Sequence, residues 1–142
     1  MADNKYNILA ISEGIAGNHN DAFQVVDLVE KMLQSMDRSG IDYGRSHLNA
    51  DAGFDVKRFK DFLEEHLFIP NIKQNKRNTK KKEQQYQYMA EYIYQNRFKI
   101  EVVFSWMDTY KRLLVRFEVS AENFRAWLCC AAAMINFRHI FN

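Results

Sequence analysis

The chain has 142 residues, 47% of them hydrophobic and 27% charged, with a formal net charge of +2. These are ordinary values for a soluble globular protein with one core. No apolar run approaches the roughly 20 residues that cross a bilayer, and the start, MADNKYN, lacks a basic-then-apolar leader. Cys129 and Cys130 are adjacent in an apolar helical stretch with nothing at metal spacing, so they read as small core residues of a cytoplasmic protein.

In chain order, residues 7–12 (NILAIS) are short and apolar, and predict a strand closed by Glu13 and Gly14. The turn at residues 17–21 follows, with Asp21 placed to cap a helix. Ala22, Val25, Val26, Val29, Met32, Leu33 and Met36 then recur at helical spacing, and Ser39-Gly40 ends them. A second strand is expected at residues 47–50 (HLNA), before Asp51-Ala52-Gly53. The next helix carries Val56, Phe59, Phe62 and Leu63 to His66, and residues 67–72 (LFIPNI) predict a third strand, with Pro70 at an edge or strand end.

Net charge conceals a local feature. Lys73, Lys76, Arg77, Lys80, Lys81 and Lys82 follow one another with no acid among them, which predicts a basic loop over residues 73–83. Beyond it the pattern is helical. One long run covers residues 85–117, with a break expected near Asn96, and a last helix starts after Ser120 with Phe124, Trp127, Leu128, Ala131 and Ile135 as its stripe. Strand and helix alternate and then helices follow, which is an α/β order in a single domain, residues 1–142.

Two acids stand out. Asp51 lies where a strand gives way to a glycine turn, and open α/β sheets place their sites at the carboxyl ends of strands. A carboxylate there suits Mg²⁺; it equally suits a turn. Glu101 lies in the apolar stretch IEVVF, where a glutamate needs a partner. On one continuous helix Tyr94, Arg97, Glu101, Asp108 and Arg112 would share a face, and a solvated ion-paired face is the plainer reading.

The segment LNADAGFD, residues 48–55, resembles the region around the second catalytic aspartate of DDE-type insertion-sequence transposases, which have an RNase H-like core. Tyr94, Arg97 and Glu101 are similar to that family's tyrosine-arginine-glutamate signature. The segments at residues 104–107, 111–113 and 116–118 look like its downstream aromatic, basic-leucine and arginine-aromatic-glutamate pieces. The resemblance spans nearly the whole chain.

It implies Asp51 and Glu101 as catalytic metal ligands for Mg²⁺ or Mn²⁺. It also implies DNA contacts from Arg97, Lys111, Arg112, Lys76, Arg77, Lys80, Lys81 and Lys82, with transposon ends and target DNA as partners and no membrane. Two departures stand beside it. Asp108 occupies the position where the family carries a lysine, a role that passes to Lys111 or Arg112. The family's first aspartate belongs upstream of the segment that residues 2–5 resemble, and Asp3 looks like a hairpin aspartate instead. His19 and Asp21 match a structural turn.

The expectation is therefore a C-terminal portion of a truncated RNase H-like core: a short mixed sheet flanked by helices, with a helical end. Missing central strands would leave an exposed edge, compatible with a homo-oligomer. The function expected is DNA binding and two-metal phosphoryl transfer in transposition, inactive in this polypeptide alone. The alternative is a non-catalytic DNA-binding remnant or partner protein; an unrelated nuclease would need a third acid with no clear candidate.

Overall fold

The computed structural model describes residues 1–14, 19–20, 22–75, 89–115 and 117–141. Helices and strands follow as α1 (Val25–Arg38), β1 (His47–Ala50), α2 (Lys57–Glu65), β2 (Ile69–Ile72), α3 (Glu91–Tyr94), α4 (Phe98–Asp108), α5 (Lys111–Leu114) and α6 (Ala121–Phe141). Short 3-10 turns occupy Ala52–Phe54 and Gln95–Arg97. The elements fall into two compact units. One is Met1–Ala16, Leu28–Ile41 and Phe98–Asn142; the other is Gly17–Asp27 and Asp42–Arg97.

α1 begins and ends close to where its apolar spacing predicts. Val25, Val29, Leu33 and Met36 are buried. Its end is a Schellman turn, in which the Ile41 N–H bonds the Met36 carbonyl and the Gly40 N–H bonds that of Asp37, both at 3.0 Å. Gly40 sits at φ +67°, the left-handed conformation this turn requires.

In the unit holding the sheet, β1 and β2 are parallel, with His47 opposite Ile69 and Ala50 opposite Ile72. Parallel neighbours need a crossover, and α2 supplies it. α2 buries Phe59, Phe62 and Leu63 and lies against β2, which ends in the buried Ile72. Among the described residues β2 has a partner on one side only, so Pro70 costs no ladder bond on the other.

The expected first strand is a correction. Residues 7–12 make one isolated antiparallel bridge, Ala2 to Ile8, and no strand. Ile8 and Ala10 are buried, so the apolar pattern reports burial, not sheet pairing. The backbone there is satisfied otherwise. The Asn136 amide accepts from the Ile8 N–H at 2.8 Å and donates to its carbonyl at 2.9 Å, and the Leu9 N–H bonds the Met1 carbonyl at 3.0 Å. Among the described residues the sheet is accordingly two-stranded and parallel, not mixed.

The unit of Met1–Ala16, Leu28–Ile41 and Phe98–Asn142 closes on Ile8, Val103, Met107, Ala132 and Ile135, with Tyr6, Ile100, Trp106, Tyr110 and Leu128 packed around them. Two more expectations are corrected here. The long helix over residues 85–117 is divided further than expected: among the described residues it starts at Glu91, gives way at the expected break near Asn96 to a 3-10 turn, Gln95–Arg97, and breaks again between α4 and α5. Cys129 and Cys130 are exposed, because α6 turns Ala131, Ala132 and Ile135 inward. Among the described residues no helix is long and apolar enough to cross a membrane.

Asn136→Ala removes both bonds to Ile8 and strands a buried peptide. It is expected to lower the unfolding free energy by about 2 kcal/mol, measured by urea titration.

Candidate active site at the end of β1

β1 delivers the chain to Asp51 in an extended conformation, φ −68° and ψ 161°. The turn beyond it is closed by backbone, the Phe54 N–H donating to the Asp51 carbonyl at 2.9 Å. The Asp51 side chain makes no capping bond. A turn-forming aspartate would spend its carboxylate on nearby N–H groups; this one is presented outward, 54% exposed, with Arg97 Nη1 at 2.6 Å from its Oδ1.

The other acid of the same motif behaves oppositely. Asp55 is largely buried and forms an ion pair with Lys60. Its Oδ2 accepts the Asn75 N–H at 2.6 Å, anchoring the segment that leaves β2. Of the two carboxylates in LNADAGFD, Asp55 serves the structure and Asp51 faces solvent.

Arg97 ends the 3-10 turn after α3, its guanidinium 6.0 Å from the Tyr94 ring centroid. α3 is tied to the sheet by two asparagines that sit opposite each other in the strand register. Asn71 is 2% exposed. Its Nδ2 donates to Asn49 Oδ1 at 2.7 Å and to the Ala90 carbonyl at 3.2 Å, and its Oδ1 accepts the Ala90 N–H at 3.0 Å. Asn49 Nδ2 in turn donates to the Ile93 carbonyl at 3.0 Å. Sequence reading passed over this network: two asparagines in strand positions carry no periodic signal, and only their shared register reveals them.

The remaining candidates lie elsewhere. Glu101 stands in the first turn of α4, in the unit that does not hold Asp51, and is exposed while Val103 and Met107 of that helix are buried. The helix breaks mean that the single face joining Tyr94, Arg97, Glu101, Asp108 and Arg112 does not exist as one helical wheel; within α4 only Glu101 and Asp108 keep that spacing. Lys111 and Arg112 open α5, both exposed. Arg112 bonds Glu118 at 3.0 Å and lies 4.8 Å from the Trp127 ring centroid, whose indole N–H donates to the same carboxylate at 3.0 Å. Asp3 accepts the Lys5 and Asn7 N–H groups at 2.8 Å, as a hairpin aspartate does. His19 stacks on Phe23 with centroids 3.6 Å apart. Lys73 is exposed; Asp21, Lys76, Arg77, Lys80, Lys81 and Lys82 lie outside the described residues.

A parallel β-α-β unit with an outward carboxylate at the carboxyl end of its first strand is an α/β arrangement, and open α/β sheets place their sites at such strand ends. The family model for the transposase DDE domain matches residues 3–137, and the chain belongs to that family. No curated protein and no solved structure matches it. DNA transposition is the family's process and DNA its partner, and the family generally works with a divalent metal.

The residues present fit such a metal only in part. Carboxylate oxygens are the right donors for Mg²⁺. Among the described residues, however, no three His, Cys, Asp or Glu side chains gather where an ion could sit, and an arginine holds one oxygen of Asp51. That does not meet what a two-ion centre demands.

Asn71→Ala leaves the Ala90 peptide without its side-chain partner. Hydrogen exchange followed by NMR is expected to show the Ala90 amide exchanging roughly tenfold faster, with the Leu63 amide unchanged.

Proposed function

We infer that the chain is a DDE transposase catalytic domain of RNase H-like descent that binds DNA and, as these 142 residues alone, does not cut it. Asp51 and Glu101 supply two of the family's three metal-binding carboxylates. Lys111, Arg112, Arg97 and the basic loop at residues 73–83 position the DNA. The observation that carries this reading is the outward Asp51 carboxylate at the end of β1, unused by its own turn and set within the motif that the family match covers.

Six cations in the basic loop would meet phosphates, giving affinity that falls with salt and carries no sequence information. Arg112 holds Glu118 with part of a fork of five donors, so further N–H groups can reach a phosphate oxygen. Two carboxylates do not provide the ligands for a pair of ions about 3.5–4 Å apart, the arrangement that strand cleavage requires. We place this work in the cytoplasm, with Mg²⁺ or Mn²⁺ as the family's ion and a homo-oligomer as the assembly. The runner-up reading is a non-catalytic DNA-binding partner, which shares the binding and lacks the chemistry; among the described residues no three metal-ligating side chains gather.

Filter binding of duplex DNA at two salt concentrations tests the DNA role. Neutralising Lys73, Lys76, Arg77, Lys80, Lys81 and Lys82 together should weaken binding and flatten its slope against log salt by about 5. An unchanged slope would remove the loop from the interface. Incubation with element-end DNA and Mg²⁺ should yield no cleavage. Robust cleavage abolished by Asp51→Ala would show that a third ligand is present after all.

A further inference from the structure

α6 is apolar on two sides. On one of them Ala131, Ala132 and Ile135 are buried. At about 100° per residue, Trp127, Met134, Phe137, Ile140 and Phe141 fall within about 140° of one another on the far side, and each is 41–74% exposed. Trp127, Cys130, Met134, Phe137 and Phe141 also alternate at three and four residues, the spacing with which one helix packs along another. A helix that is apolar all round is stable in water only when both faces are covered.

We propose that two copies of the chain pair through this face, α6 against α6, antiparallel about a two-fold axis. The pairing gives the homo-oligomer of the proposed function a surface; it rests on that part of the reading and not on Asp51 or Glu101. Size order favours a second copy. Trp127 apart, the face is small in the first half of α6, where Asn123, Ala126 and Cys130 are exposed, and large in the second, where Phe137, Ile140 and Phe141 are. Antiparallel pairing sets each small half against the other copy's large half, with Cys130 opposite Met134 and Trp127 opposite Phe137. A two-fold axis makes the two halves of the contact identical and closes the assembly at the dimer. Charge agrees. Glu122 lies in the first turn and Arg138 in the last, so antiparallel helices bring opposite charges and opposite dipole ends together at each end of the pair. Area agrees as well. Aromatic side chains carry about 200 Å² each, and on that scale the exposed fractions leave on the order of 600 Å² open per copy. Two such faces bury about 1,200 Å² together, which reaches the range of specific interfaces at its small end.

Sedimentation equilibrium of the full chain tests the pairing. The unmodified chain is expected to form a dimer with a Kd in the micromolar range. Phe137→Glu and Ile140→Glu, each made alone at an exposed position, should weaken it roughly tenfold or more, with helix content by circular dichroism unchanged. Tyr92→Glu removes an exposed ring from α3 and should shift the Kd by less than about twofold. Direction is read by cross-linking in a Cys129→Ser/Cys130→Ser background. There Asn123→Cys combined with Phe141→Cys should oxidise to a covalent dimer, and Asn123→Cys alone should not. Equal cross-linking by Asn123→Cys alone would mean parallel helices and overturn the pairing, as would assembly that continues past the dimer. A dimer that survives both glutamates takes α6 out of the contact and leaves the homo-oligomer standing. A chain that stays monomeric at roughly 100 µM overturns both.

Discussion

A buried side-chain amide is costly unless its donors and acceptor are all met. Asn71 meets its own by pairing with Asn49 across the strand register and with both polar atoms of the Ala90 peptide. Among the described residues, that arrangement lets a two-stranded sheet hold a further segment that is not itself a strand. It also decides where the chain runs next, through α3 and the 3-10 turn to Arg97, and so decides what faces Asp51. The other unit uses the same device: Asn136 of α6 grips the Ile8 peptide in place of a strand neighbour. In both units an asparagine supplies the hydrogen bonds that a longer sheet would supply.

The chemistry at the end of β1 follows from a division between two acids four residues apart in sequence. Asp55 turns inward to Lys60 and the Asn75 amide, and holds the exit from β2 in place. Asp51 is left to the outside, because the turn after it closes through backbone alone. An exposed carboxylate on a rigid strand end is a good place for a cation, and the cation that the folded chain itself provides is Arg97.

Local signals were the legible ones. The spacing of apolar residues located α1 and α2, and strand propensity located β1 at the residues where it is found, since each depends on neighbours in sequence. What depended on distant partners was misread. Residues 7–12 have a strand's composition, yet their backbone bonds go to Asn136 and Met1, separated by the whole chain or by a turn. The run beyond Gln85 has helical periodicity, and its interruption near Asn96 was legible, but periodicity does not register the break before α5. Cys129 and Cys130 sit in an apolar run whose buried side is set by Ala131, Ala132 and Ile135. Asp51 was visible through its place in a motif, while its ion pair with Arg97 was not: 46 positions in sequence separate two residues that the folded chain brings together.

Membership of the transposase DDE-domain family sets the process and the partner, and the proposed function rests on Asp51 and Glu101 as its metal-binding carboxylates. Addition of Mn²⁺ to ¹⁵N-labelled protein examines that pair most directly, because a bound paramagnetic ion broadens the amides near it. The account predicts selective loss of signals around Asp51 and around Glu101 at the same low Mn²⁺ concentration. Broadening near one of them with the other untouched, or centred on a different part of the chain, would contradict it.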